Sequence, residues 1–131
     1  MRKTLFLVVF GLLVTSLAWA GIDDAKAIHA LLGEARGEGY RGMYAVACAI
    51  RNRGTLQGVY GANADISDTS EITRDAAITA WHLSKNGEDI TNGADSWENT
   101  KDFGWPNWAK GHKPTAIIGN HSFFKIKKGG K

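Results

Sequence analysis

Two carboxylates, Glu34 and Glu38, lie four residues apart in a segment with helical periodicity. Its apolar stripe is formed by Ile28, Leu31, Leu32 and Ala35. A helical wheel of this segment places Glu34 at the border of the stripe and Glu38 one turn further along the same edge. Partial burial and a neighbouring like charge both favour the protonated form of a carboxyl group, as a general acid requires near neutral pH. Glu34 is therefore the predicted acid; the alternative is that both glutamates are ordinary solvated residues of an amphipathic helix.

Three further blocks of sequence give this segment a context. Residues 33–38 read GEARGE and are followed by AVACAIRNR at 45–53, by GADSWEN at 93–99 and by IGNHSFF at 118–124. In this order they resemble the motifs of the spore-cortex-lytic (SleB-type) cell wall hydrolases, over residues 28–125. As a set the motifs are specific, whereas each one alone is weak.

This resemblance implies a lysozyme-like α+β fold, mostly helical, with a short β-hairpin. It also implies an enzyme that cleaves the MurNAc–GlcNAc glycosidic bond of peptidoglycan strands without a cofactor. The family's single catalytic glutamate maps to Glu34. In a lytic transglycosylase this residue acts first as acid and then as base, and the muramyl O6 hydroxyl closes a 1,6-anhydro ring.

The predicted substrate-binding residues are aromatic or polar side chains near the matched blocks: Glu38, Trp97, Asn99, Trp105, Trp108 and His121. Indole rings suit the apolar faces of sugars; with Phe103, the tryptophans would form a sugar-binding floor. The alternative is that the rings pin a loop to the helices, and that Asn99 and His121 make structural hydrogen bonds. For a hydrolytic mechanism, Asp95, Glu98 or Asp102 would supply the opposing base, since Glu38 lies on the same edge as Glu34.

The sequence departs from the family in lacking the peptidoglycan-binding repeats and in having Glu98 within the aromatic-x-Asn block. A general wall-remodelling enzyme of the periplasm, or a signal-anchored phage-type endolysin, therefore fits better than a spore enzyme. Outside the enzymes, the alternative is a non-catalytic glycan-binding or regulatory module of the same fold. Glu34 disfavours that alternative, because a binding module has little use for a half-buried acid.

The first twenty residues have the pattern of a secretory signal peptide. Arg2 and Lys3 precede an apolar run over residues 5–17, and small residues Ala18 and Ala20 lie before Gly21. The run is short for a membrane span, which needs about 20 residues. We expect a periplasmic or extracellular protein without stable membrane insertion.

Amino-terminal sequencing of the exported protein should therefore begin at Gly21. A full-length chain recovered from the membrane fraction would instead identify an uncleaved signal anchor.

Charge and composition exclude several other classes. Lys and Arg number 16 against 13 Asp and Glu, but two basic residues belong to the signal peptide and four to a tail from about Lys125. The body is mildly acidic, so the pI is no indication of nucleic-acid binding. The four histidines, with Cys48, show no metal-ligand spacing, so no metal site is predicted. The sequence leaves the oligomeric state open.

Residues 21–131 suffice for one compact domain. Helical periods predict helices at about 24–36, 40–53 and 73–85, the first capped by Asp23 or Asp24 and the second ended by Gly54. Ile78 and Trp81 would be the core contacts of the third helix. After Gly87 the period is lost, and little regular structure is expected before a hairpin within residues 115–126.

Overall fold

The computed structural model describes residues 21–127; the predicted signal peptide at 1–20 and the tail residues 128–131 lie outside this range. Within it, four α-helices and three short strands form the domain. In chain order they are α1 Asp24–Ala35, α2 Gly39–Arg53, α3 Glu71–Leu83, β1 Ser96–Glu98, α4 Thr100–Phe103, β2 Ala116–Ile118 and β3 His121–Phe124. No helix in this part of the chain is long and apolar enough to cross a membrane.

The three predicted helices are confirmed, and local sequence explains their ends. The Asp23 side chain caps α1 by accepting from the Lys26 N–H at 2.9 Å. Gly54 ends α2 with a left-handed φ of 75°. Helix α3 begins two residues earlier than predicted, because Ser70 Oγ accepts from the Thr73 N–H at 3.1 Å.

Helix α2 lies at the centre of the core, because its residues are apolar on nearly every side. Its residues Met43 to Ile50 are buried apart from Tyr44, and α1 and α3 pack against it. Its alanines let the neighbouring helices approach closely. The prediction for α3 was half wrong: Trp81 is 1% exposed, whereas Ile78 is 37% exposed and the core face carries Ala77 and Ala80 instead.

The predicted hairpin is present but belongs to a three-stranded antiparallel sheet of order β1-β3-β2. The prediction of little regular structure after Gly87 missed β1, which has only three residues. Trp97 on β1 lies opposite Phe123 on β3, and all four residues of β3 are buried. The sheet thereby fixes β1, which carries Trp97, against α2.

Candidate active site

Glu34 lies in the last turn of α1, half-buried, with both carboxylate oxygens hydrogen-bonded to distant parts of the chain. Trp97 Nε1 donates to Oε1 at 2.7 Å, and the Gly61 N–H donates to Oε2 at 2.5 Å. The first donor comes from β1 and the second from the 3₁₀ turn Tyr60–Asn63. Three elements therefore hold the carboxyl group in one orientation.

The approach of the 3₁₀ turn to α1 depends on two glycines. A Cβ at Gly61 would lie 2.7 Å from Glu34 Cγ and 2.7 Å from its backbone nitrogen, and a Cβ at Gly33 would overlap Gly61. Glycine at both positions lets the two backbones come into contact. The Gly61 N–H can reach the carboxylate for this reason.

Glu34 lies in a cleft of about 380 Å³. Of the predicted site residues, Trp97 and Trp108 also line it. The cleft wall is completed by three segments, namely Arg53 with Gly58 to Tyr60, Ser96 with Glu98, and Ile126 with Lys127. A cleft with a fixed carboxyl group and two indole rings suits a sugar chain.

Glu38 does not lie on the same helix edge as Glu34, so that prediction was wrong. Helix α1 ends at Ala35, and Glu38 is the N-cap residue of α2. Its carboxylate accepts from the Asn120 N–H at 3.1 Å and from Asn120 Nδ2 at 3.0 Å, and lies 3.3 Å from His121 Nδ1. Burial raises the pKa of Glu38, but the Asn120 hydrogen bonds and His121 outweigh it and hold the pKa below its usual value.

These contacts give Glu38 and His121 an internal role. The Glu38 side chain is 9% exposed and that of His121 is 6% exposed, and neither residue lines the cleft. Together with Asn120 they join the start of α2 to the turn between β2 and β3. The expected substrate contacts of Glu38 and His121 are thus replaced by contacts within the protein.

The predicted aromatic floor divides into two parts. Trp108 lines the cleft and packs edge-on against Phe124 at 5.4 Å between ring centroids. Trp105 packs against the same ring at 5.3 Å but does not line the cleft, and Phe103 is 78% exposed elsewhere. Trp105 therefore fits the alternative in which a ring pins its loop to the sheet.

Asn99, Asp95 and Asp102 also make internal contacts. Asn99 caps α4, with Oδ1 accepting from the Asp102 N–H at 3.0 Å and Nδ2 donating to Asp102 Oδ2 at 2.8 Å. The Asp95 carboxylate is buried and accepts from the backbone N–H groups of Ile126 and Lys127. Of the predicted second carboxylates, only Glu98 lines the cleft with Glu34 within residues 21–127.

The sequence reasoning missed Gly61, Arg53 and Lys127. Gly61 follows Tyr60 in a segment between the second and third predicted helices, and the sequence there gives no sign of contact with α1. The sequence assigned Arg53 no role in the site within the AVACAIRNR block, and it placed Lys127 only in the basic tail. In residues 21–127 no group of three or more His, Cys, Asp or Glu side chains is placed to hold a metal ion.

Comparison with known proteins gives one solved structure of the same fold. No protein-family model matches the chain, and no curated protein sequence matches it. The catalytic domain of the germination-specific lytic transglycosylase SleB from Bacillus anthracis is similar over 82% of this chain and 98% of that domain, with 27% identity and a TM-score of 0.55. The predicted lysozyme-like α+β fold is thereby confirmed.

Proposed function

We propose that the protein is an exported, SleB-type peptidoglycan-cleaving enzyme that acts on the MurNAc–GlcNAc bond as a lytic transglycosylase. The observation that carries the proposal is Glu34, held at both carboxylate oxygens inside a cleft with Trp97 and Trp108. The likeness to the catalytic domain of a lytic transglycosylase supports peptidoglycan cleavage. The apolar N-terminal pattern supports export.

Glu34 would supply the proton for bond cleavage. The Trp97 and Gly61 donors each occupy one lone-pair site of its carboxylate oxygens, which leaves a second site on each oxygen for the proton. Glu34 protonates the glycosidic oxygen as the bond between that oxygen and the muramyl anomeric carbon breaks. The resulting carboxylate then accepts the O6 hydroxyl proton while O6 bonds to the anomeric carbon.

The sugar would lie against the indole rings that border the cleft. Trp97 donates to Glu34 through its ring nitrogen, so its ring is held in place beside the acid. Trp108 is 41% exposed, which leaves ring surface for a pyranose. These two tryptophans are the proposed sugar contacts, and a fixed substrate position lowers the barrier to the intramolecular attack of O6.

The absence of other cleft carboxylates besides Glu98, among the residues that the structure describes, supports the single-acid route. Hydrolysis requires a second carboxylate, at about 5–5.5 Å from the acid for retention and about 6.5–9.5 Å for inversion. Glu98 Oε1 accepts from the Asn99 N–H at 3.0 Å, which holds one of its oxygens to the backbone.

Mass spectrometry of the fragments released from purified peptidoglycan in heavy-oxygen water separates the two routes. We expect muropeptides ending in 1,6-anhydro-muramic acid, one water lighter than reducing sugars and free of label. Solely reducing ends that carry the label would reject transglycosylation and assign hydrolysis. Intact strands would reject the proposed function.

A further inference from the structure

The cleft wall beside Glu34 carries two cations, Arg53 and Lys127, that form no ion pair with a carboxylate of residues 21–127. In residues 21–127 the ion pairs are Arg36 with Asp68 and His121 with Glu38, so neither cation has a carboxylate oxygen within 4.0 Å. A cation that is not paired within the protein can attract an anionic group of a ligand, and the cleft wall brings both cations within reach of a bound substrate.

Arg53 is held in place by carbonyl oxygens. Its Nε and Nη2 donate to the Gln57 carbonyl at 3.1 and 2.9 Å, and Nη1 donates to the Asp95 carbonyl at 3.1 Å. Neutral acceptors position a guanidinium without cancelling its charge. Three of the five N–H donors are used, which leaves one on each terminal nitrogen to donate to a ligand.

Gly58 makes room for this guanidinium. A Cβ at Gly58 would lie 2.8 Å from Arg53 Nη2, and its φ of 79° is in the left-handed region that favours glycine. Both residues line the cleft. The 55–59 loop is thereby shaped around the charged group.

The backbone of Lys127 is held by Asp95, the residue whose carbonyl oxygen also accepts from Arg53. Asp95 is 5% exposed; its Oδ2 accepts from the Lys127 N–H and its Oδ1 from the Ile126 N–H, each at 3.0 Å. The backbone of Asp95 binds both Arg53 Nη1 and, through its N–H, the Phe124 carbonyl at 3.0 Å. Asp95 therefore joins both cation-bearing segments to β3.

We propose that Arg53 and Lys127 form an anion subsite that binds a carboxylate on the muramyl residue of the glycan. This inference rests on the proposed function and names its substrate class. The carboxylate comes either from a free lactyl group or from the stem peptide attached to it. Strands whose carboxyl groups are converted to neutral amides lose this contact and bind more weakly.

The test compares three substrates prepared from one batch of peptidoglycan: peptide-bearing strands, strands stripped to the free lactyl acid, and stripped strands with that acid amidated. Dissociation constants are measured calorimetrically on a Glu34→Gln background, which keeps the strands intact, and KM is measured on the active protein. We expect Lys127→Gln to weaken binding of one or both carboxylate strands about fivefold and of amidated strands not at all.

Lys125→Gln is the matched control, because Lys125 is exposed, carries the same charge two residues away and does not line the cleft. It should leave every constant unchanged. Arg53→Gln should weaken binding of the same carboxylate strands as Lys127→Gln. If thermal unfolding shows that the Arg53→Gln protein is not folded, the Lys127→Gln result alone decides. A loss of affinity for the stripped strands identifies the lactyl carboxylate as the ligand. A loss for the peptide-bearing strands identifies the peptide carboxylate.

Equal losses on amidated and carboxylate strands, or equal effects of Lys125→Gln and Lys127→Gln, would overturn the subsite. Failure of the proposed function has a different signature. Strands that bind with the carboxylate preference but are never cut would leave the subsite standing and reject the enzyme. Strands that are cleaved equally well with and without the carboxylate would support the enzyme and reject the subsite.

Discussion

Replacement of Glu34 by Gln should lower the release of fragments from purified peptidoglycan by at least about a hundredfold, the contribution typical of general acid–base catalysis. The amide preserves the shape of the side chain but supplies no acidic proton. Gel clearing and chromatography of soluble fragments measure the loss. Activity close to that of the wild type would reject Glu34 as the acid.

The same substitution should cost only about 1 kcal/mol of folding free energy. Both partners of Glu34, Trp97 Nε1 and the Gly61 N–H, are donors, so the amide nitrogen of Gln leaves one of them without an acceptor. Thermal unfolding should remain cooperative. If it does not, Glu34 is a structural residue and the loss of activity says nothing about catalysis.

Glu98→Gln is the matched control, since it removes the other glutamate of the cleft by the same chemical change. A transglycosylase with one acid should retain most of its activity. If Glu98→Gln is as inactive as Glu34→Gln while still folded, two carboxylates take part and hydrolysis becomes the better assignment.

The sequence predicted those features that depend on neighbours along the chain. Helix ends were predicted to within about two residues, because cap residues such as Asp23 and Gly54 act on the backbone a few residues away. The start of α3 was predicted two residues late because the Ser70 cap was not recognised. Glu34 was found at the border of an apolar stripe, which is also a local pattern. Trp97 came from the family resemblance, since its spacing alone did not separate a site residue from a packing residue.

The remaining features depend on contacts between distant segments. Gly61 donates to Glu34, a residue 27 positions earlier. Arg53 and Lys127 both hydrogen-bond to Asp95, which lies 42 positions from the first and 32 positions from the second. Neither hydrophobic periodicity nor a helix-capping residue indicates contacts between such distant segments. Glu38 was misplaced because the helical wheel was continued beyond Ala35, where α1 ends.

The corrected position of Glu38 leads to a prediction on stability. Its carboxylate accepts two hydrogen bonds from Asn120 at 3.1 and 3.0 Å, and a Cβ at Gly119 would lie 2.9 Å from its Oε1. Glu38→Gln should lower the free energy of unfolding at pH 7 by about 2 kcal/mol, because an amide nitrogen then faces the Asn120 donors. Chemical denaturation measures this difference.

The effect should depend on pH. The folded-state pKa of Glu38 lies below its ordinary value of 4.5, so the ionised carboxylate stabilises the fold above pH 4.5. This contribution decreases as the pH falls below 4.5 and is lost as it passes through the lowered pKa. The difference between wild type and Glu38→Gln should therefore be largest near neutral pH and shrink towards pH 3.

Glu88→Gln provides the control for the titration, because Glu88 is exposed and its side chain makes no hydrogen bond within the described residues. Its stability difference from wild type should be near zero at both ends of the pH range. A Glu38→Gln difference that is equal at pH 3 and pH 7 would show that Glu38 stabilises the turn by packing alone. A difference that shrinks in acid would instead assign the stabilisation to the charge that Asn120 and His121 surround.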